Sequence, residues 1–164
     1  MLVLMTTGCQ ESTIIVPKES IRFRVIANSN TDYDQSTKQK VRNEIQNEMM
    51  KNLKNTKTIE EARENIEKNI EEYSTIVQDT LNKNDINIPF QINYGQNYFP
   101  EKHYKGVTYQ EGYYESLVIT LGEGKGENWW CILFPPLCLL ETEESDKNEV
   151  EYKFFIKEII DKYF

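Results

Sequence analysis

The side chains best equipped for chemistry are Cys131, Cys138 and His103. A catalytic thiolate needs a polar, electropositive and reachable setting with a base beside it. Cys131 stands between Trp130 and Ile132, apolar neighbours that raise a thiol pKa. His103 is the one histidine, so chemistry needing two imidazoles is excluded. A Cys131/His103 thiol hydrolase is the enzymatic alternative to a non-enzymatic role. Six residues separate Cys131 from Cys138, and Pro135-Pro136 can bend the chain between them. A disulfide there would contribute about 2–3 kcal/mol through loop-closure entropy and requires an oxidising compartment. Two buried free thiols are the other reading.

Further motifs weigh toward structure. Gly122, Gly124 and Gly126 resemble a phosphate-cradling loop, but such a loop joins a strand to a helix. Here the glycines lie between two apparent strands, so a hairpin turn with Lys125 at its tip is expected. Asn28, Asn30, Asp32 and Asp34 offer oxygen ligands without the spacing of a calcium loop, and a turn followed by a helix cap accounts for them. Neither a metal site nor a cofactor is expected. Trp129 and Trp130 point to opposite faces if they lie in a strand, and a surface Trp beside Pro135 and Pro136 would be a recognition anchor.

The elements that must position these residues follow from periodicity. Ile21, Phe23 and Val25 alternate with Arg22 and Arg24, a half-buried strand. Asp32 and Gln35 can cap a helix whose apolar face is Val41, Ile45, Met49 and Leu53. Thr58-Ile59-Glu60-Glu61 is a capping box, and Ile59, Ala62, Ile66, Ile70, Tyr73, Val77 and Leu81 recur every three or four residues as one long amphipathic helix. Strands are expected over residues 86–94, 115–121 and 129–134, with 95–112 a tyrosine-rich loop. Residues 150–163 fit either a strand or a closing helix. The order predicts an α+β fold: a small antiparallel meander packed on two long helices, with a C-terminal strand or helix.

The chain has 164 residues, 38% of them hydrophobic, and a net charge of −8. That suits one domain and excludes electrostatic attraction to nucleic acid; no small-molecule substrate is expected. Residues 1–20 form one unit, with the domain at 21–164. The start, Met1 to Met5, is a short apolar run leading through Thr6-Thr7-Gly8 into Cys9. This is similar to a bacterial lipobox, in which the cysteine carries the lipid, except that Thr6 replaces the usual leucine. Residues 11–20 are expected to be a tether.

Asn128-Trp-Trp-Cys-Ile-Leu-Phe-Pro-Pro-Leu-Cys138, preceded by Leu121-Gly-Glu-Gly-Lys-Gly126, resembles stage II sporulation protein R of endospore-forming bacteria. Val25-Ile-Ala-Asn-Ser-Asn30, Asp34-Gln35, Lys38, Tyr98-Phe99-Pro100 and Gly112 to Leu117 extend the similarity, which runs from about Ile21 to the C-terminus. Arg24 and Gln110-Glu111 depart from the pattern. The resemblance implies a protein without chemistry of its own, exported from the forespore into the intermembrane space. There it would activate a membrane-embedded aspartic protease of the mother cell, which processes the sigma E precursor. The partner contact is expected at Trp129, Trp130, Pro135, Pro136, Lys125 and Tyr98, with Cys9 as a possible membrane anchor. A structural envelope lipoprotein is the remaining alternative.

Overall fold

The computed structural model describes residues 14–138 and 148–164. Cys9 and the acidic run at 141–147 lie outside the described residues. The chain is α+β. In order, the elements are β1 (Ile14–Ile15), β2 (Ile21–Ile26), α1 (Asp32–Leu53), α2 (Ile59–Lys68), α3 (Ile70–Lys83) and β3 (Phe90–Phe99). Then come β4 (Lys102–Tyr104), β5 (Val107–Tyr109), β6 (Gly112–Leu121), β7 (Asn128–Phe134) and a closing helix, here α4 (Glu149–Tyr163).

The main sheet has the order β3-β6-β2-β7. It is mixed rather than antiparallel throughout, because β2 inserts between β6 and β7. β2 runs parallel to β6, with Phe23 beside Leu117 and Val25 beside Ile119. It runs antiparallel to β7, with Phe23 beside Cys131. The expectation that consecutive strands are neighbours therefore fails at β6 and β7. A smaller sheet has the order β1-β5-β4.

Strand alternation sends Ile21, Phe23 and Val25 to one face of β2, where they join Leu117, Ile119 and Leu133 against Val41, Ile45, Ala62, Tyr73 and Val77 of the helices. The expected single helix from Thr58 is divided at Asn69, whose backbone leaves helical geometry (φ −104°, ψ 9°). Its side chain donates to the Asn65 carbonyl, a local competitor to the helical ladder. Thr31, rather than Asp32, caps α1 by accepting from the Asp34 N–H. The opposite face of the sheet carries Tyr114, Trp130 and Ile132, covered by Val107 and Tyr109 of the small sheet and by Tyr152 and Ile156 of α4.

Several boundaries move: the strand expected from residue 86 begins at Phe90, and the one expected from 115 begins at Gly112. The tyrosine-rich segment after Gly95 forms the end of β3 and the β4–β5 hairpin. The tether reading of 11–20 is corrected from Ile14 onward: Ile14 and Ile15 pair with Val107 and Thr108, and Val16 is buried in the second cluster. The fold thus begins before Ile21, because an apolar Ile14-Ile15-Val16 run completes a sheet edge. Among the described residues no helix is long and apolar enough to cross a membrane.

Candidate functional site

The segment after β2 is rich in short polar side chains, which hydrogen-bond to nearby backbone in place of secondary structure. Asp34 accepts from Asn28 Nδ2 (2.9 Å) and Ser29 Oγ (2.5 Å). These bonds hold its carboxyl below the ordinary carboxylate range, Ser29 being the strongest influence. Asn28 Oδ1 accepts from the Glu123 N–H and Asn30 Oδ1 from the Glu127 N–H, while Gly126 N–H donates to the Ala27 carbonyl. Lys38, buried and pushed below the usual lysine pKa by desolvation, donates to the Glu127 carbonyl at 3.0 Å. The glycine segment is therefore no hairpin turn. It crosses the end of β2 and is laced to the β2–α1 turn. A Cβ on Gly126 would lie 2.3 Å from the Ser29 carbonyl oxygen, which is why the segment needs a residue without one. Lys125 at its tip is exposed and pairs with Glu123 at 2.6 Å.

β7 positions the tryptophans on opposite faces. Trp129 is half-buried, its ring edge-on to Phe23 at 5.9 Å and beneath Arg42. Trp130 is 7% exposed and meets Phe99 and Tyr109 edge-on. Pro135 is buried and Pro136 half-buried. Trp130 and Pro135 are thus packed inside rather than open to solvent; the small sheet and α4 cover the Trp130 face that strand alternation alone leaves open. Cys131 and Cys138 are disulfide-bonded, with Cα atoms 5.2 Å apart.

Arg22 and Arg24 share the Trp130 side of β2. The guanidinium carbon of Arg22 lies 3.5 Å from the Tyr114 ring centroid and 4.7 Å from that of Trp130. Arg22 is 1% exposed. Its Nη2 donates to the Gln110 carbonyl at 3.4 Å, while among the described residues Nε and Nη1 have no hydrogen-bond partner. Burial pushes this guanidinium down to about 10, against a smaller raising influence from Tyr114. Alternation predicts that Arg22 leaves the apolar face, but the aromatic box around it comes from three distant segments and has no local signal.

Tyr98 is 47% and Tyr113 74% exposed. Their rings meet edge-on at 5.6 Å, and Tyr98 donates to Glu111 at 2.8 Å, a bond that raises the phenol pKa. Tyr98 pairs with Tyr113 in register, whereas Gln91 pairs with Thr120, so Tyr98 and the glycine segment occupy opposite ends of β6. The six expected contact residues do not form one patch. On the helix side, Arg63 makes a two-pronged ion pair with Glu115 at 2.8 and 2.9 Å, and Tyr94 donates to the same carboxylate. Burial works against the Glu115 charge, but these bonds outweigh it and hold the carboxyl below its usual range.

The hydrolase alternative fails on this geometry. Cys131 is bonded to Cys138 and buried in the helix-side core. His103 lies on the exposed β4–β5 hairpin, bonded to Glu101 and Thr108. Among the described residues no group of three or more His, Cys, Asp or Glu is placed to hold a metal ion.

The family model for stage II sporulation protein R matches residues 17–144. The chain belongs to that family. A stage II sporulation protein R from Bacillus subtilis (strain 168) is 38% identical over 137 residues, which is 84% of this chain and 61% of that relative. The match thus spans less than two thirds of the relative's length. No solved structure matches the chain. Within the stage II sporulation protein R match fall the Asn28–Asn30 turn, the glycine segment, Arg22 and its aromatic box up to β7, and the disulfide loop.

Proposed function

We propose that this chain is an exported sporulation signal that binds a membrane-embedded aspartic protease of the mother cell and turns it on, so that the sigma E precursor is processed. The observation that carries the reading is the family match across residues 17–144. The Cys131–Cys138 disulfide supports the exported part, since such bonds persist in oxidising compartments. Activation by binding requires higher affinity for the active form of the protease than for the inactive one. Of the six expected contacts, Lys125, Tyr98 and Pro136 reach the surface, Trp129 is partly accessible, and Trp130 and Pro135 support them from within. Attachment through Cys9 belongs to the same proposal; a diacylglyceryl group supplies two chains, enough for stable anchoring.

The test is processing of the precursor by the protease in vesicles, with and without the purified chain, alongside deletion in sporulating cells. The expected result is cleavage that depends on the chain in both settings. Equal cleavage with and without it overturns the proposal and leaves a structural envelope role. For the anchor, Cys9→Ser is expected to abolish a lipid mass increment and detergent partitioning. A wild-type chain lacking both overturns the anchor alone.

A further inference from the structure

The chain as a whole is acidic, with 27 Asp and Glu against 19 Lys and Arg. One concave region reverses that sign. Where the end of α1, the end of β7 and the last turns of α4 meet, a groove of about 570 Å³ has a floor of Leu53, Leu133, Pro136, Ile159 and Tyr163. Its rim carries Lys51, Lys54 and Lys162, and among the described residues no carboxylate lines it. Lys51 pairs with Glu48 at 3.0 Å. Among the described residues neither Lys54 nor Lys162 has a carboxylate at ion-pair distance. A second depression shares Lys54, Lys162 and Tyr163 and adds Asn55, Thr56 and Lys57. The combined groove is apolar at one end and basic at the other.

We propose that this groove is a docking site for a segment of a partner protein whose apolar side chains lie next to acidic ones. The apolar end removes aliphatic or aromatic side chains from water, and the lysines select carboxylates beside them. An anionic lipid surface would meet the repulsion of a chain at net charge −8. A segment small enough to seat between Lys54 and Lys162 meets mainly the local lysines, because charges beyond about 8–10 Å are screened at physiological salt. The proposal rests on the reading that the chain works by binding a protein, and it places that contact beside Pro136, in a groove that neither Tyr98 nor Lys125 lines.

The experiment titrates the full chain with a fluorescein-labelled amphipathic peptide of Leu, Ala and Glu, and with the same peptide carrying Lys for Glu. The Glu peptide is expected to bind, with amide shifts centred on Leu53, Leu133 and Tyr163. K54E/K162E is expected to weaken it roughly tenfold and to let the Lys peptide bind instead, with K54Q/K162Q intermediate. Equal binding of both peptides to the wild type overturns the proposal, as do shifts centred elsewhere, binding to phosphatidylglycerol vesicles alone, or self-association through this face. Both lysines are exposed, and circular dichroism of each variant verifies folding. In the vesicle processing assay K54E/K162E is expected to stimulate less than the wild type. Equal stimulation overturns the groove while the activator reading stands; a wild type that does not stimulate overturns the activator reading.

Discussion

The two faces of the main sheet bury their side chains in different ways. The helix-side core is mainly aliphatic: Val41, Ile45, Ile66, Val77, Leu117 and Ile119 fill it, with Phe23, Tyr73 and Phe134 among them. The other cluster is built from Phe99, Tyr109, Tyr114, Trp130 and Tyr152 around the buried Arg22, with the Tyr109 and Tyr152 hydroxyls 2.7 Å apart. The first core is organised by long helices on strands of six, seven and ten residues. The second is closed by strands of two and three residues. Aliphatic burial tolerates little besides shape. An aromatic box can also hold a cation through ring quadrupoles, so it accepts a charge that the first core would exclude. The difference predicts one rigid unit carrying a more readily opened cover.

The sharpest break of that comparison is Phe23→Ala, expected to cost about 3–5 kcal/mol in urea unfolding and to speed amide exchange throughout α1, α3 and β6. Tyr152→Ala should speed exchange in β4, β5 and α4 while leaving Val118 to Thr120 protected. Uniform acceleration would show the two clusters to be one cooperative unit. Next, Cys131→Ala with Cys138→Ala is expected to lose about 2–3 kcal/mol, the loop-closure entropy of so short a bridge.

Arg22→Met is expected to change unfolding free energy by less than about 1 kcal/mol, because removing a poorly bonded buried charge offsets the lost cation–ring attraction. A loss above about 2 kcal/mol would mean the guanidinium stabilises the box. The smallest effect concerns Glu115. Its folded pKa lies below its unfolded value. Its contribution is therefore present above an unfolded value near 4.3 and lost as pH falls through the lower folded one. Glu115→Gln should flatten this acid limb, removing about 0.5–1 kcal/mol at neutral pH, since Arg63 is partly solvated. An unchanged slope of urea midpoint against pH would remove the pair from the account.

The same contrast sets how much was legible in the sequence. Period-four apolar residues gave α1 and the α2–α3 region, alternation gave β2 and the first half of β3, and an unbroken apolar run gave β7, because each pattern is local. Asn69 breaks the long helix without disturbing the apolar spacing, so periodicity misses it. The insertion of β2 between β6 and β7 is set by distant pairing, and nothing in Gly122 to Gly126 distinguishes a crossing from a hairpin. For the candidate site, alternation placed Trp129 and Trp130 on opposite faces. Which of them met solvent depended on Val16, Phe99, Val107 and Tyr152, scattered along the chain and in elements too short for a period. The basic-rimmed groove left no trace either, since Leu53, Leu133 and Ile159 each read as ordinary core residues.

The pairing of Ile14 and Ile15 with Val107 and Thr108 sets a leash. For a chain held to a membrane at Cys9, four residues separate the anchor from the first strand, five Cα-to-Cα steps with a reach of at most about 18 Å at full extension. The small-sheet side would then be held near the lipid surface. The domain's search would become two-dimensional, with the helix side turned away from the lipid.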